Sequence, residues 1–152
     1  MGKLVAILGS SGDGKTTSTI INPDGTYKPD DYQGMNPKNH FILNLDRKVL
    51  PFPAGMWDTD KQNYFEPTDF PSIKNMLTWI SKQEHIKSVS IDTINIYLAM
   101  KEYNERKKMT FDKWADYAND VIELNSMCNT ILREDQIAYV FGHTMLQDQT
   151  DG

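Results

Sequence analysis

Apolar residues concentrate along this chain in four short segments: Leu4–Leu8, Phe41–Leu45, Val89–Asp92 and Ile137–Phe141. Runs of this length, rich in β-branched and aromatic residues and bounded by turn-forming ones, predict strands buried on both faces. Tyr64-Phe65 predicts a further, very short strand. Between the runs the period changes to a helical one. Asp69 is a good N-cap, Pro71 lies close to the first helical position, and Ile73, Met76, Leu77 and Ile80 follow at helical spacing, which predicts a helix over 70–83. Residues 95–108 predict a second helix. Residues 111–134 predict a longer one with an apolar stripe of Trp114, Tyr117, Val121, Leu124, Cys128 and Ile131. The stretch 22–39 is rich in Pro, Gly, Asp and Asn and reads as an excursion from the core. Strands alternating with helices predict a three-layer α/β domain with a mostly parallel sheet flanked by helices on both faces.

Composition narrows this only a little. At 152 residues the chain is one domain's worth. A net charge of −5 excludes a broadly basic protein, so any nucleic-acid contact must come from a local patch or an assembled oligomer. The local basic cluster is Arg106-Lys107-Lys108, preceded by Tyr103; it reads as a solvated helix end or as a nucleic-acid contact. The single cysteine, Cys128, forms no intramolecular disulfide framework and reads as a small residue on a packed helix face. No apolar run reaches the ~20 residues of a membrane span and no signal peptide precedes the first strand, so a cytoplasmic location is expected, in a bacterium or an infected host cell. The chain stops in the polar run Gln147–Gly152, and the expectation is a domain lacking its C-terminal strands.

The chemistry enters with Gly9-Ser10-Ser11-Gly12-Asp13-Gly14-Lys15-Thr16, which fits G-x-x-x-x-G-K-[ST] without a gap. The motif has meaning only between a strand and a helix. Leu4–Leu8 supplies the first, and Thr16-Thr17-Ser18-Thr19-Ile20-Ile21 can open the second. Glycines allow positive φ and close approach of backbone to ligand, and successive N–H groups at a helix N-terminus favour an anion. Lys15 would set a point charge on the β- and γ-phosphates, and the Thr16 hydroxyl would ligate Mg²⁺. Thr17 belongs to the same nucleotide-binding segment. The motif predicts that the chain binds a nucleoside triphosphate.

Other residues gain meaning from that loop. Asp92 ends a strand at the carboxyl edge of the sheet, where ligands of open α/β folds bind; there it can accept from Thr16 or from Mg²⁺-bound water. Its other reading is a helix N-cap. Hydrolysis also needs a group to orient or deprotonate water. The position after Asp92 is Thr93, so the candidates are Asp46, following the second strand, and Glu66, following the short one. The choice between them stays open. His143 ends the fourth strand and would lie beside the γ-phosphate if that strand sits between the first and third. Lys48 is a second cation near Asp46. The only arginines are Arg47, Arg106 and Arg133, too few for the clamps of a small-molecule kinase. An arginine finger would then come from a neighbouring subunit, from Arg106 or Arg133 acting in trans, or from the C-terminal part the chain is expected to lack. No Asn-Lys-x-Asp guanine reader is present, which favours ATP.

The order of Gly9…Gly14-Lys15-Thr16-Thr17-Ser18, Asn36-Pro37-Lys38, Phe41-Ile42-Leu43-Asn44, Lys48-Val49-Leu50-Pro51-Phe52, Ser90-Ile91-Asp92 and Phe141-Gly142-His143 resembles phage-encoded RecA-like P-loop ATPases. That group includes the phage single-strand annealing or recombination ATPases. The phosphate-loop part is specific only for nucleotide binding, and Lys48–Phe52 is the more distinctive piece. The resemblance implies a RecA-type core, ATP with Mg²⁺, Asp92 as the acid of the second nucleotide motif and His143 as a sensor-like residue. It also implies a DNA-dependent ATPase in phage recombination or replication, partnered by single-stranded DNA or a phage recombination protein and assembled as a homo-oligomer. Members of the group often carry a second acid where Thr93 stands. That departure keeps a nucleotide-gated binding module with little hydrolysis as the alternative, and a nucleotide kinase as a more distant one.

Overall fold

The structure is a computed structural model; it describes residues 2–10, 12–17, 36–51, 55–104 and 112–144, with residues 100, 104 and 112–114 described by backbone alone. Its elements are β1 (Lys3–Gly9), β2 (His40–Asn44), β3 (Tyr64–Phe65), α1 (Phe70–Ser81), β4 (Ser88–Asp92), α2 (Ile94–Asn104), α3 (Asp112–Thr130) and β5 (Ile137–His143). The five strands form one sheet in the order β1-β5-β4-β2-β3, and every pairing is parallel. With its flanking helices this is the expected three-layer α/β fold, and β5 does lie between β1 and β4.

Parallel strands need both faces covered, and the residue alternation supplies two clusters. Phe41, Leu43, Val89, Ile91 and Ala138 face Ile73, Leu77 and Ile80 of α1 and Leu124, Met127 and Cys128 of α3. On the opposite face Ile42 and Phe141 pack with Trp57, from the segment leading into β3. The Cys128 thiol is fully buried, and burial pushes its pKa up to about 12, so it is inert packing as the sequence suggests. Trp114 of the expected stripe has its side chain outside the described residues. β1 is the least covered strand: Val5 is 42% and Leu8 66% exposed, and its one strand neighbour among the described residues is β5.

Helix ends follow local chemistry where the sequence carries it. Asp69 Oδ1 accepts the Ser72 N–H at 2.8 Å, and the Ser72 hydroxyl accepts the Asp69 N–H at 3.3 Å, a capping box one turn before the apolar stripe. The expected helix over 111–134 ends earlier, at Thr130. The reason is tertiary. Gln136 is buried, accepts the Arg133 N–H at 3.0 Å and donates to the carbonyls of Ile80 and Ile86 at 3.1 and 2.9 Å. The chain turns early to seat that amide before entering β5. The expected helix over 95–108 runs 94–104, and residues 105–108 lie outside the described residues. So does most of the helix expected after the phosphate loop, and of the 22–39 excursion only 36–39 are described.

Candidate functional site

The phosphate loop leaves the carboxyl end of β1. Gly12 and Gly14 sit at φ of 87° and 73°, the left-handed region that glycine tolerates and the motif requires. Asp13 closes the loop, its carboxylate accepting the Ser10 N–H at 2.6 Å. That is the kind of backbone donor a phosphate oxygen takes in such loops. Lys15 curls back over the turn, its ammonium donating to the Gly9 carbonyl at 2.8 Å and the Ser10 carbonyl at 2.6 Å. The same ammonium lies 3.3 Å from Nδ1 of His143, which the register Gly9↔His143 brings to the loop. An ammonium only donates, so Nδ1 accepts and the ring proton resides on Nε2. Ser11 lies outside the described residues; Thr17 occupies the turn that follows Thr16.

A second cluster forms where β4 ends. Asp92 is 2% exposed, and Thr16 Oγ1 donates to its Oδ2 at 2.5 Å. Its Oδ1 is buried without a hydrogen-bond partner, with the Lys48 ammonium 3.9 Å away. Next to it, across the Asn44↔Asp92 register pair, Asp46 Oδ1 accepts both the N–H of Thr93 at 3.1 Å and its hydroxyl at 2.9 Å. Asp46 Oδ2 accepts from Lys48 at 2.7 Å. Partial burial alone pushes the Asp46 carboxyl up. The bonds from Lys48 and Thr93, with the charge of Lys48, outweigh it and hold the carboxyl below its ordinary value.

The donor set suits Mg²⁺. It offers a hydroxyl and a carboxylate oxygen left over in a buried position, both hard oxygens. No group of three or more His, Cys, Asp or Glu able to hold a metal occurs among the described residues.

The structure therefore brings together Lys15, Thr16, Asp46, Asp92 and His143 and leaves Glu66 aside. Glu66 is exposed and accepts the Tyr64 hydroxyl at 2.6 Å, and Tyr64 accepts in turn from Asn44 Nδ2 at 2.7 Å. It borders a cleft of about 390 Å³ with Lys48 and Trp57 rather than the phosphate loop. Arg133 is no free finger: its guanidinium donates to the carbonyls of Ser81 and Gln83 at 2.9 and 3.0 Å and pairs with Asp135. Arg106 lies outside the described residues. Two contributions were not read from the sequence. Thr93 engages Asp46 through two donors, and Asn95, in the first turn of α2, brackets His143 through its N–H and C=O.

A parallel α/β sheet with a glycine-rich phosphate loop on its first strand defines the class: a P-loop domain. No protein-family model matches the chain, and no curated protein does. Among solved structures, a KaiC-like protein from the hyperthermophilic archaeon Pyrococcus horikoshii shares the fold at 15% identity, with a TM-score of 0.56. The match covers 94% of this chain and 63% of that one, so this chain spans somewhat under two thirds of its neighbour's length. Among the described residues no helix is long and apolar enough to cross a membrane.

Proposed function

We propose that the chain is a P-loop NTPase of RecA-like type that binds ATP with Mg²⁺ at the Gly9–Thr16 loop and hydrolyses it slowly. One observation carries the reading: Thr16 donates to one oxygen of Asp92 while the other oxygen of that buried carboxylate lacks a hydrogen-bond partner. That second oxygen faces the Lys48 ammonium only at 3.9 Å, and a buried carboxylate paired so loosely beside a phosphate loop gains from a closer cation. Thr16 and Asp92 would hold Mg²⁺, which when bound neutralises charge on the β- and γ-phosphate oxygens. Lys15 leaves the Gly9 and Ser10 carbonyls for the β- and γ-phosphates. His143, on the neighbouring strand, then faces the terminal phosphate and registers its presence or loss. Asp46 orients the attacking water.

The slow rate follows from Asp46. A carboxylate held below its ordinary pKa by three donors is a weak proton acceptor, and general-base efficiency falls with basicity. That observation also favours the second reading, a nucleotide-gated binding module whose turnover is incidental. The coupling proposed is to single-stranded DNA or a phage recombination partner, in an oligomer. Its support is the resemblance to phage recombination ATPases and the Arg106-Lys107-Lys108 cluster.

The test is ATP turnover by the protein with Mg²⁺, with and without single-stranded DNA, beside Lys15→Ala. Stimulation by DNA that disappears in the variant is the expected result. ATP binding without turnover under either condition selects the binding module, and no ATP binding overturns both.

A further inference from the structure

The two central strands part company before they end. The β4–β5 ladder runs from Ser88↔Ile137 to Ile91↔Val140 and stops, whereas β5 stays paired with β1 as far as Gly9↔His143. Among the described residues, Phe141, Gly142 and His143 therefore have no ladder partner on the β4 side. Asn95 enters that opening from the first turn of α2. Its Oδ1 accepts the His143 N–H at 2.7 Å and its Nδ2 donates to the His143 carbonyl at 3.2 Å. A side-chain amide carries the same donor and acceptor as a peptide group, so Asn95 stands in for the missing strand residue. A Cβ at Gly142 would crowd Leu8 Cδ2 at 2.9 Å and meet Asn95 Oδ1 only at an ordinary contact distance of 3.5 Å.

Two bonds to the N–H and C=O of one residue fix the direction of its Cα–Cβ bond. For His143 that direction carries the imidazole to within 3.3 Å of the Lys15 ammonium. We propose that Asn95 is the positioning residue that holds the His143 imidazole against the phosphate loop. Only the turnover arm of its test rests on the function proposed above. Asn95 touches no reacting group; it acts through the backbone of His143 and ties that strand end to the helix following Asp92.

The experiment records side-chain ¹⁵N spectra of His143 in the nucleotide-free protein at one fixed pH. Wild type is expected to show a single tautomer with the proton on Nε2. Lys15→Ala supplies the spectrum of a ring that has lost its donor. Asn95→Leu keeps the branched shape without hydrogen-bonding groups and is expected to move most of the way to that spectrum. Asn95→Asp keeps an acceptor for the N–H, loses the donor to the carbonyl, and is expected to fall between. A folded variant with the wild-type spectrum overturns the proposal, and Asn95→Asp decides if Asn95→Leu does not fold. In turnover, Asn95→Leu is expected to lower kcat about tenfold with KM for ATP within about twofold. An unchanged kcat beside a shifted nitrogen spectrum overturns the role proposed for His143 in turnover and leaves its positioning by Asn95 supported. If wild type does not turn over ATP, the proposed function fails by itself and the nitrogen spectra still decide on Asn95.

Discussion

The two ends of the central strands bury similar amounts of polarity and treat it differently. At the amino end His40 is 1% exposed, with Nδ1 2.7 Å from the Ser88 hydroxyl and Nε2 2.6 Å from that of Ser90. Gln136 is matched there by two carbonyls and a backbone N–H, and Arg133 by a fan of carbonyls. At the carboxyl end Asp92 and Asn44 each keep a buried oxygen without a hydrogen-bond partner. Asn39 Oδ1 is an exception near the amino end, and it belongs to a turn rather than to this network. A buried polar network that is complete serves the fold; one left incomplete beside the phosphate loop is what the proposed cation would complete.

The comparison breaks most decisively at Lys15. Lys15→Ala is expected to reduce ATP binding and turnover by about 100-fold or more, at an unfolding midpoint within about 2 °C of wild type. A large loss of melting temperature would instead make the carboxyl end part of the scaffold. Asp92→Asn keeps the shape and removes the charge. Turnover is expected to fall about 100-fold while urea stability stays level or rises, because an incompletely paired buried charge is removed. His40→Leu reverses the pattern. It strands the hydroxyls of Ser88 and Ser90, so stability by urea titration should drop by about 2–4 kcal/mol with turnover per folded molecule unchanged.

The last effect is a pH slope. Burial depresses the His40 pKa from 6.5 to about 3, so between those values the unfolded chain binds a proton that the folded one refuses. Stability is therefore fully present above pH 6.5 and falls as the pH drops, by at most about 1.4 kcal/mol per unit from this group. Asp46, held below its ordinary 3.8, adds a loss in the same direction only at more acidic pH. Unfolding titrations from pH 7 to 4 should show the slope in wild type and a flatter line in His40→Leu.

What could be read from the sequence divides along the same physical line. The strands were legible as short, mostly apolar segments, although β1, expected to be buried, leaves Val5 and Leu8 exposed, and the start of α1 because Asp69, Pro71 and Ser72 are a local cap. The end of α3 was not legible, since it depends on an amide fitting carbonyls of Ile80 and Ile86, some fifty residues away. The same holds in the site. Lys15 and Thr16 come from a contiguous motif. Asp46 and Glu66 both follow strands and differ only in what the register sets opposite them. Asn95 reads as an ordinary polar residue in a helix's first turn until the ends of β4 and β5 are seen to separate.

The outer edge of β1 also bears on how the protein behaves in a tube. Among the described residues this strand is hydrogen-bonded along one side only, and it displays Val5 and Leu8. Natural sheets usually blunt such an edge with charge, proline or a covering element. Here the phosphate loop hangs from it, so the strand that carries the proposed site is, among the described residues, also the one most open to a stray neighbour. Crowding of molecules and integrity of the site are thereby linked: association through this edge is expected to disturb the phosphate loop before the rest of the fold.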